Sequence, residues 1–153
     1  MDVKIQDIKD VTIKGVDVCF TDTVEDVERL DFFEWTVWPL ETTFKTNKMV
    51  AGLLQSWHHT PIYEKLEYHE DAEIFYFFEG TAIMCFVDLD ENDKPLMDSA
   101  QMVRIPAGVM INVAERKGHW VAVAEDDRYS AIVIAPKQGD IHVQLPEKIC
   151  GVY

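Results

Sequence analysis

The stretch His69–Gly80, HEDAEIFYFFEG, decides how this chain is read. A histidine stands four positions before a carboxylate, Glu73. An apolar aromatic run follows at once and stops on a glycine. Alternating side chains in such a run share a face, so Glu73, Phe75 and Phe77 point one way once strand geometry begins. Working backward, Leu66–His69 is a short strand on which Glu67 and His69 share a face. A hairpin between the two would gather Glu67, His69 and Glu73. Working forward, Ala82–Val87 is a third strand, and RIPAG (Arg104–Gly108) marks a tight turn between Gln101–Pro106 and Met110–Ala114. Polar groups on the inner wall of a small barrel are costly unless they bind something.

The rest of the chain is also strand and turn. Val11–Val18 alternates and is broken by Gly15. Thr23–Leu30 (TVEDVERL) is expected to be a short helix capped by Thr21, Asp22 or Thr23. Phe32–Leu40 reads as an aromatic strand closed by Pro39, and Met49–Trp57 as another. Asp88–Pro95 is a polar loop and Glu115–Gly118 a turn. Trp120–Ala124, Ser130–Ala135 and Ile141–Leu145 are β-rich. Short strands at regular spacing predict an all-β sandwich or barrel, here one domain over residues 1–153.

With 14 basic and 28 acidic side chains the net charge is −14. That surface repels phosphate backbones and anionic lipid, which sets nucleic acid and membrane partners aside. The N-terminal MDVKIQDIKD lacks the order of a signal peptide, and no apolar stretch approaches spanning length. Cys19, Cys85 and Cys150 have no metal-ligand spacing and read as reduced thiols. A cytoplasmic protein is expected. Exposed edge strands and surplus aromatics predict a homodimer.

One imidazole and two carboxylates can ligate a divalent metal ion of undetermined identity and leave positions open for a small-molecule substrate. The same groups can run acid–base chemistry without metal, because clustered carboxylates raise one another's pKa. A hydrated polar rim at a strand end is the structural alternative. Arg104 could hold a carboxylate, its neighbours Val103 and Ile105 facing the opposite wall; a solvent-facing arginine is the other reading. Tyr63, Tyr68 and Tyr76 could donate to a ligand or simply pack. His58, His59 and His142 read as surface or structural histidines, and Trp35 and Trp38 as packing groups.

His69, three residues, Glu73, six residues and Gly80 resemble the second half of the first cupin motif, and MVRIPAGV (Met102–Val109) resembles the second cupin motif. The resemblance implies a double-stranded β-helix, or jelly-roll barrel, with its site inside the mouth. Two usual ligand positions differ. Glu67 stands two residues before His69 where a histidine is usual, and Ile111 stands five residues after Pro106 in place of another. Within the superfamily, KLEYHEDAEIFYFFEG and GVMINVAERKGHWVAVAE resemble the ureidoglycolate lyases, as does the closing IVIAPKQGDIHV. That likeness matches His119, next to Trp120, to the family's later histidine and sets Asn112 where another histidine often stands. It implies cleavage of ureidoglycolate to glyoxylate and urea, a step of purine breakdown. His69, Glu73, His119 and Glu67 would be both catalytic and metal-holding. Arg104, Tyr76 and Asn112 would contact substrate. The alternatives are another metal-dependent cupin, a sugar isomerase or a dioxygenase, or a non-catalytic cupin that holds a metabolite.

Overall fold

The structure, a computed structural model, describes residues 1–37 and 39–153. Its strands are β1 (Asp2–Asp7), β2 (Val16–Phe20), β3 (Val27–Leu30), β4 (Phe33–Thr36), β5 (Met49–Trp57), β6 (Ile62–Tyr68) and β7 (Glu73–Glu79). They continue as β8 (Thr81–Leu89), β9 (Pro95–Pro106), β10 (Val109–Val113), β11 (Gly118–His119), β12 (Val123–Ala124), β13 (Arg128–Pro136) and β14 (Ile141–Val152). One sheet runs β2–β10–β7–β13–β5. The other runs β11–β6–β14–β1–β9–β8–β12, and β11 also pairs with β8, so its strands close on themselves. This is the all-β barrel expected from the sequence.

The closure follows from the sequence of β8. Every residue from Ala82 to Val87 is buried. Ala82, Met84 and Phe86 face the core shared with the five-stranded sheet, beside Phe75, Phe77 and Ile111. Ile83, Cys85 and Val87 face a second core with Ile5, Tyr63, Leu66, Met102 and Ile149. A strand buried on both faces reads as a continuous apolar run rather than an alternation. In the next strand Val103 and Ile105 face the first core and Met102 the second.

Tight turns carry the chain from one sheet to the other, from β7 to β8 and from β9 to β10. Gly80, at φ +70°, joins β7 to β8 so closely that an added Cβ would strike the Arg128 carbonyl oxygen. Gly108, at φ +87°, ends the proline turn, and its N–H donates to the Phe77 carbonyl at 2.8 Å. The Ala107 N–H donates to the Gly80 carbonyl at 2.9 Å, so the two turns are fastened together.

Several segments differ from expectation. The short helix at Thr23–Leu30 is absent. Val27–Leu30 is instead a strand paired with Phe33–Thr36, with Val27 opposite Thr36 and Leu30 opposite Phe33. A helix that short is marginal by itself, whereas the hairpin finds its partner across one turn and adds a cross-strand ion pair, Arg29 Nε to Glu34 Oε1 at 3.1 Å. The Thr21 and Thr23 hydroxyls cap no helix; they donate to the Gly108 and Phe20 carbonyls. A single 3-10 turn, Ile8–Asp10, is the helical element among the described residues. The aromatic strand is confined to Phe33–Thr36, and Trp38 lies outside the described residues. Strand β1 is additional to the expected strands; in it Val3 and Ile5 alternate with Asp2, Lys4 and Gln6.

Among the described residues no helix is long and apolar enough to cross a membrane. The three cysteines are free thiols, and burial pushes the Cys85 thiol up to about 12, which keeps it inert.

Candidate metal centre

Four side chains from three strands and one turn meet at one end of the first core. His69 follows the last residue of β6, and the turn after it is fixed by Asp71. One Asp71 carboxylate oxygen accepts from the Ala72 N–H at 2.8 Å and the other from the Lys45 N–H at 2.9 Å. That turn returns the chain so that Glu73 opens β7 facing inward. The distant contribution is His119 of β11, which lies directly opposite Glu67 of β6 in the ladder. Ligand atoms of Glu67, His69 and His119 all lie within 4.8 Å of one another. Glu73 Oε2 stands 3.4 Å from His69 Nε2 and 3.3 Å from His119 Nε2.

Backbone carbonyls set the tautomers. His119 Nδ1 lies 2.9 Å from the Lys117 carbonyl oxygen, and His69 Nδ1 lies 3.3 Å from that of Gly139. A carbonyl only accepts, so each Nδ1 carries the hydrogen and each Nε2 of a neutral ring turns a lone pair toward Glu73. His119 is 2% exposed, His69 is 6% exposed, and His119 Nε2 has no hydrogen-bond partner. Two lone pairs facing a buried carboxylate oxygen repel it unless positive charge stands between them. Two protons or one divalent cation can supply it. Atoms bound to one small cation at about 2.1 Å sit roughly 3.0–3.4 Å apart, which each imidazole-to-Glu73 separation matches; the carboxylate whose oxygen lies within 4.8 Å of ligand atoms of both imidazoles in one mutual group is Glu67. Imidazole nitrogen held through Nδ1–H to a carbonyl is also the usual support of a metal-binding histidine.

The charges respond to this packing. Burial would raise the Glu73 carboxyl, but when both rings carry a proton on Nε2 their hydrogen bonds and positive charge together outweigh it and hold the group at about 2. Burial would lower His69, but the bond to Glu73, the charges of Glu73 and Glu67 and the Gly139 carbonyl together more than reverse this. Burial raises the Glu67 carboxyl above the usual carboxylate range, although His119 and His69 pull against it.

Beside the cluster lies a cavity of about 180 Å³ lined by Glu67, Glu73 and His119 on one side and by Leu54, Phe75, Met84, Val121 and Val133 on the other. The apolar wall comes from β5, β7, β8, β13 and the segment between β11 and β12, and no motif announces its β5 and β13 members. Asp140 and His142 extend the cluster outward. His142 Nε2 lies 3.8 Å from Glu67 Oε2, and Asp140 Oδ1 lies 3.8 Å from His69 Nδ1.

The structure places the other three site residues elsewhere. Arg104 lies on the Met102 face of β9, opposite Val103 and Ile105. Its guanidinium is bound by Glu125, at 2.6 Å, and Asp7, at 2.9 Å. The parity that frees Arg104 from the inner wall turns it away from the site. Tyr76 alternates with Phe75 and Phe77 and so faces outward from the five-stranded sheet, beside Phe78. Asn112 alternates with Ile111 and Val113 and donates to Asp17 at 3.0 Å on that same outer side. Ile111 fills the core. Tyr63 donates to the Ile83 carbonyl at 2.8 Å, and His58 Nδ1 lies 2.8 Å from the Glu125 carbonyl; neither reaches the cluster.

No protein-family profile matches the sequence, and no curated protein sequence matches it. Solved structures that are similar include oxalate decarboxylase from Bacillus subtilis, at 19% identity over 64% of this chain with a TM-score of 0.46. They also include procruciferin, an 11S globulin from Brassica napus, at 10% identity over 63% of this chain with a TM-score of 0.44. This chain covers 24% and 22% of those chains respectively.

Proposed function

We propose that the protein is a metal-dependent cupin enzyme that holds one divalent cation among His69, Glu73 and His119, with Glu67 beside it, and transfers protons on a small substrate. The supporting observation is the pair of imidazoles, each fixed by a backbone carbonyl, that aim Nε2 at the same Glu73 oxygen. A mixed nitrogen and oxygen set of this kind suits first-row divalent ions. The cation, when bound, would supply Lewis-acid polarisation of a substrate oxygen. The remaining work belongs to the chain. Glu67 carries a carboxyl raised by burial, which brings it toward the range useful for a general acid or base. The apolar wall excludes water from the reacting groups, and the small cavity limits the substrate to a compact molecule.

The ureidoglycolate lyase resemblance gives this chemistry a specific form. Glu67 takes the proton of the carbinol hydroxyl. The carbon–nitrogen bond breaks as that oxygen becomes a carbonyl, and the leaving urea nitrogen takes the proton back from the same carboxyl. The atoms balance without an oxidant, giving glyoxylate and urea. No arginine or lysine side chain lines the cavity among the described residues. That lining favours a second reading, in which the barrel holds a neutral metabolite without converting it.

Titration calorimetry with Mn²⁺, Zn²⁺, Ni²⁺ and Co²⁺, paired with an assay for glyoxylate release, separates these readings. Binding at one site, abolished in His119→Ala, together with glyoxylate release lost in Glu67→Gln, is the expected result. Metal binding without turnover removes the lyase and leaves the metal centre. Binding that His69→Ala and His119→Ala leave intact removes the metal centre.

A further inference from the structure

We propose that the outer face of the five-stranded sheet is the contact between two copies of this chain. The sheet has one face on the first core, through Phe75, Phe77, Ala131 and Val133, with Leu54 packed against it. Residues that alternate with these point away from the molecule. In β5 they are Met49, Leu53 and Trp57, exposed by 38%, 62% and 64%. Beside them stand Ile132 and Ile134 of β13 and Phe78 of β7, each about two-fifths exposed. The ladder sets Leu53 directly against Ile132 and Ala51 against Ile134, so the patch is continuous rather than scattered.

Among the described residues the β5–β13 side of this face stays open, whereas its β10–β2 end is covered, Asn112 being 6% exposed; the open part approaches what a stable dimer needs. With Ala51 and the less exposed Ile74, Tyr76 and Met110, the patch amounts to roughly 700–800 Å². One partner contributes about 800 Å² to an interface of standard size. A monomer's largest apolar patch is commonly 300–600 Å².

Charge selects the occupant. The chain carries a net −14, so two copies repel each other over most of their surfaces. The outward side chains at the centre of this face, Leu53, Gln55, Ile132 and Ile134, carry no charge, and the nearest ion pair, Arg128 with Glu79, lies at its margin. A basic partner would be drawn to the acidic surface elsewhere. A second copy meets no repulsion where charge is missing, and a two-fold axis through the face lets each patch cover its own counterpart. The contact is independent of the metal centre: Leu53 faces the partner while its neighbour Leu54 faces the cavity.

Sedimentation velocity or light scattering of the full chain tests this. The expected mass is twice the 17.6 kDa of one chain. Leu53→Glu and Ile132→Glu, both at exposed positions, should each weaken association by at least about a hundredfold while keeping the β-sheet circular dichroism. Hydroxyl-radical footprinting of the unmodified protein supplies a readout that needs no variant: Met49 and Trp57 should be protected as concentration rises. A wild-type mass of one chain across the accessible concentration range overturns the proposal. So does a dimer that both substitutions leave intact, or one in which Met49 and Trp57 stay as reactive as in the monomer.

Discussion

At the scale of the residue, three atoms dominate: Nε2 of His69, Nε2 of His119 and Oε2 of Glu73. Protons and a cation compete for the same space among them, so metal affinity is tied to pH. His69 titrates above its ordinary 6.5, because burial, the largest single influence, is outweighed by Glu73, Gly139 and Glu67 acting together. Metal binding is therefore expected to tighten by about tenfold or more between pH 5.5 and pH 7.5 and to release protons, measured by calorimetry in buffers of different ionisation enthalpy. Glu73→Gln keeps the shape and removes the charge; its expected effect is a loss of metal affinity of about a hundredfold or more, read in the same titrations. The sequence exposed part of this arrangement. Glu67, His69 and Glu73 lie within seven residues, and strand alternation plus one turn is enough to gather them. His119 was placed by likeness alone, since its position depends on β11 lying beside β6 and nothing local encodes that pairing. Arg104 was legible as a side chain turned away from Val103 and Ile105. Which of those faces held the cavity was not legible, because both faces of β9 are apolar.

At the scale of the element, β11 has two residues and two functions. It joins β6 to β8, closing the ring, and it carries His119. Gly118 makes the closure possible. A Cβ there would meet the Val87 carbonyl oxygen at 2.9 Å and Leu66 Cδ1 at 3.2 Å. Gly118→Ala is expected to destabilise the protein by about 1–3 kcal/mol in urea unfolding and to weaken metal binding with it. Loss of stability with undiminished metal affinity would separate the two functions. Elements with a strong local signal, such as Met49–Trp57, coincide with their sequence reading to the residue. Elements whose signal is ambiguous do not. Val24, Val27 and Leu30 recur at helical spacing, yet Val27 and Leu30 pair with the strand just beyond Asp31–Phe32. The apolar period fits both structures, and the available partner decides.

At the scale of the whole molecule, the buried cluster shapes stability against pH in the metal-free protein. Glu73 is held at about 2 against an ordinary 4.5, so its stabilising contribution is present above 4.5 and fades as pH falls toward 2. His69 is raised above 6.5, so its contribution is full below 6.5 and is lost as pH rises through its folded value. These two groups together give a maximum between about pH 4.5 and 6.5, measurable as midpoints of thermal melts in chelator. Bound metal replaces the protons and is expected to shift that maximum upward. The other molecular trait, the paired cores on either side of β8 and β9, bears on how the protein comes apart. Cys85 and Met84 are consecutive residues that anchor different interiors. Neither interior can be flooded while the partition they share stays standing, and once it gives way both are open. Calorimetric and van't Hoff enthalpies of a single protomer are expected to agree, the signature of a molecule that melts all at once despite having two rooms.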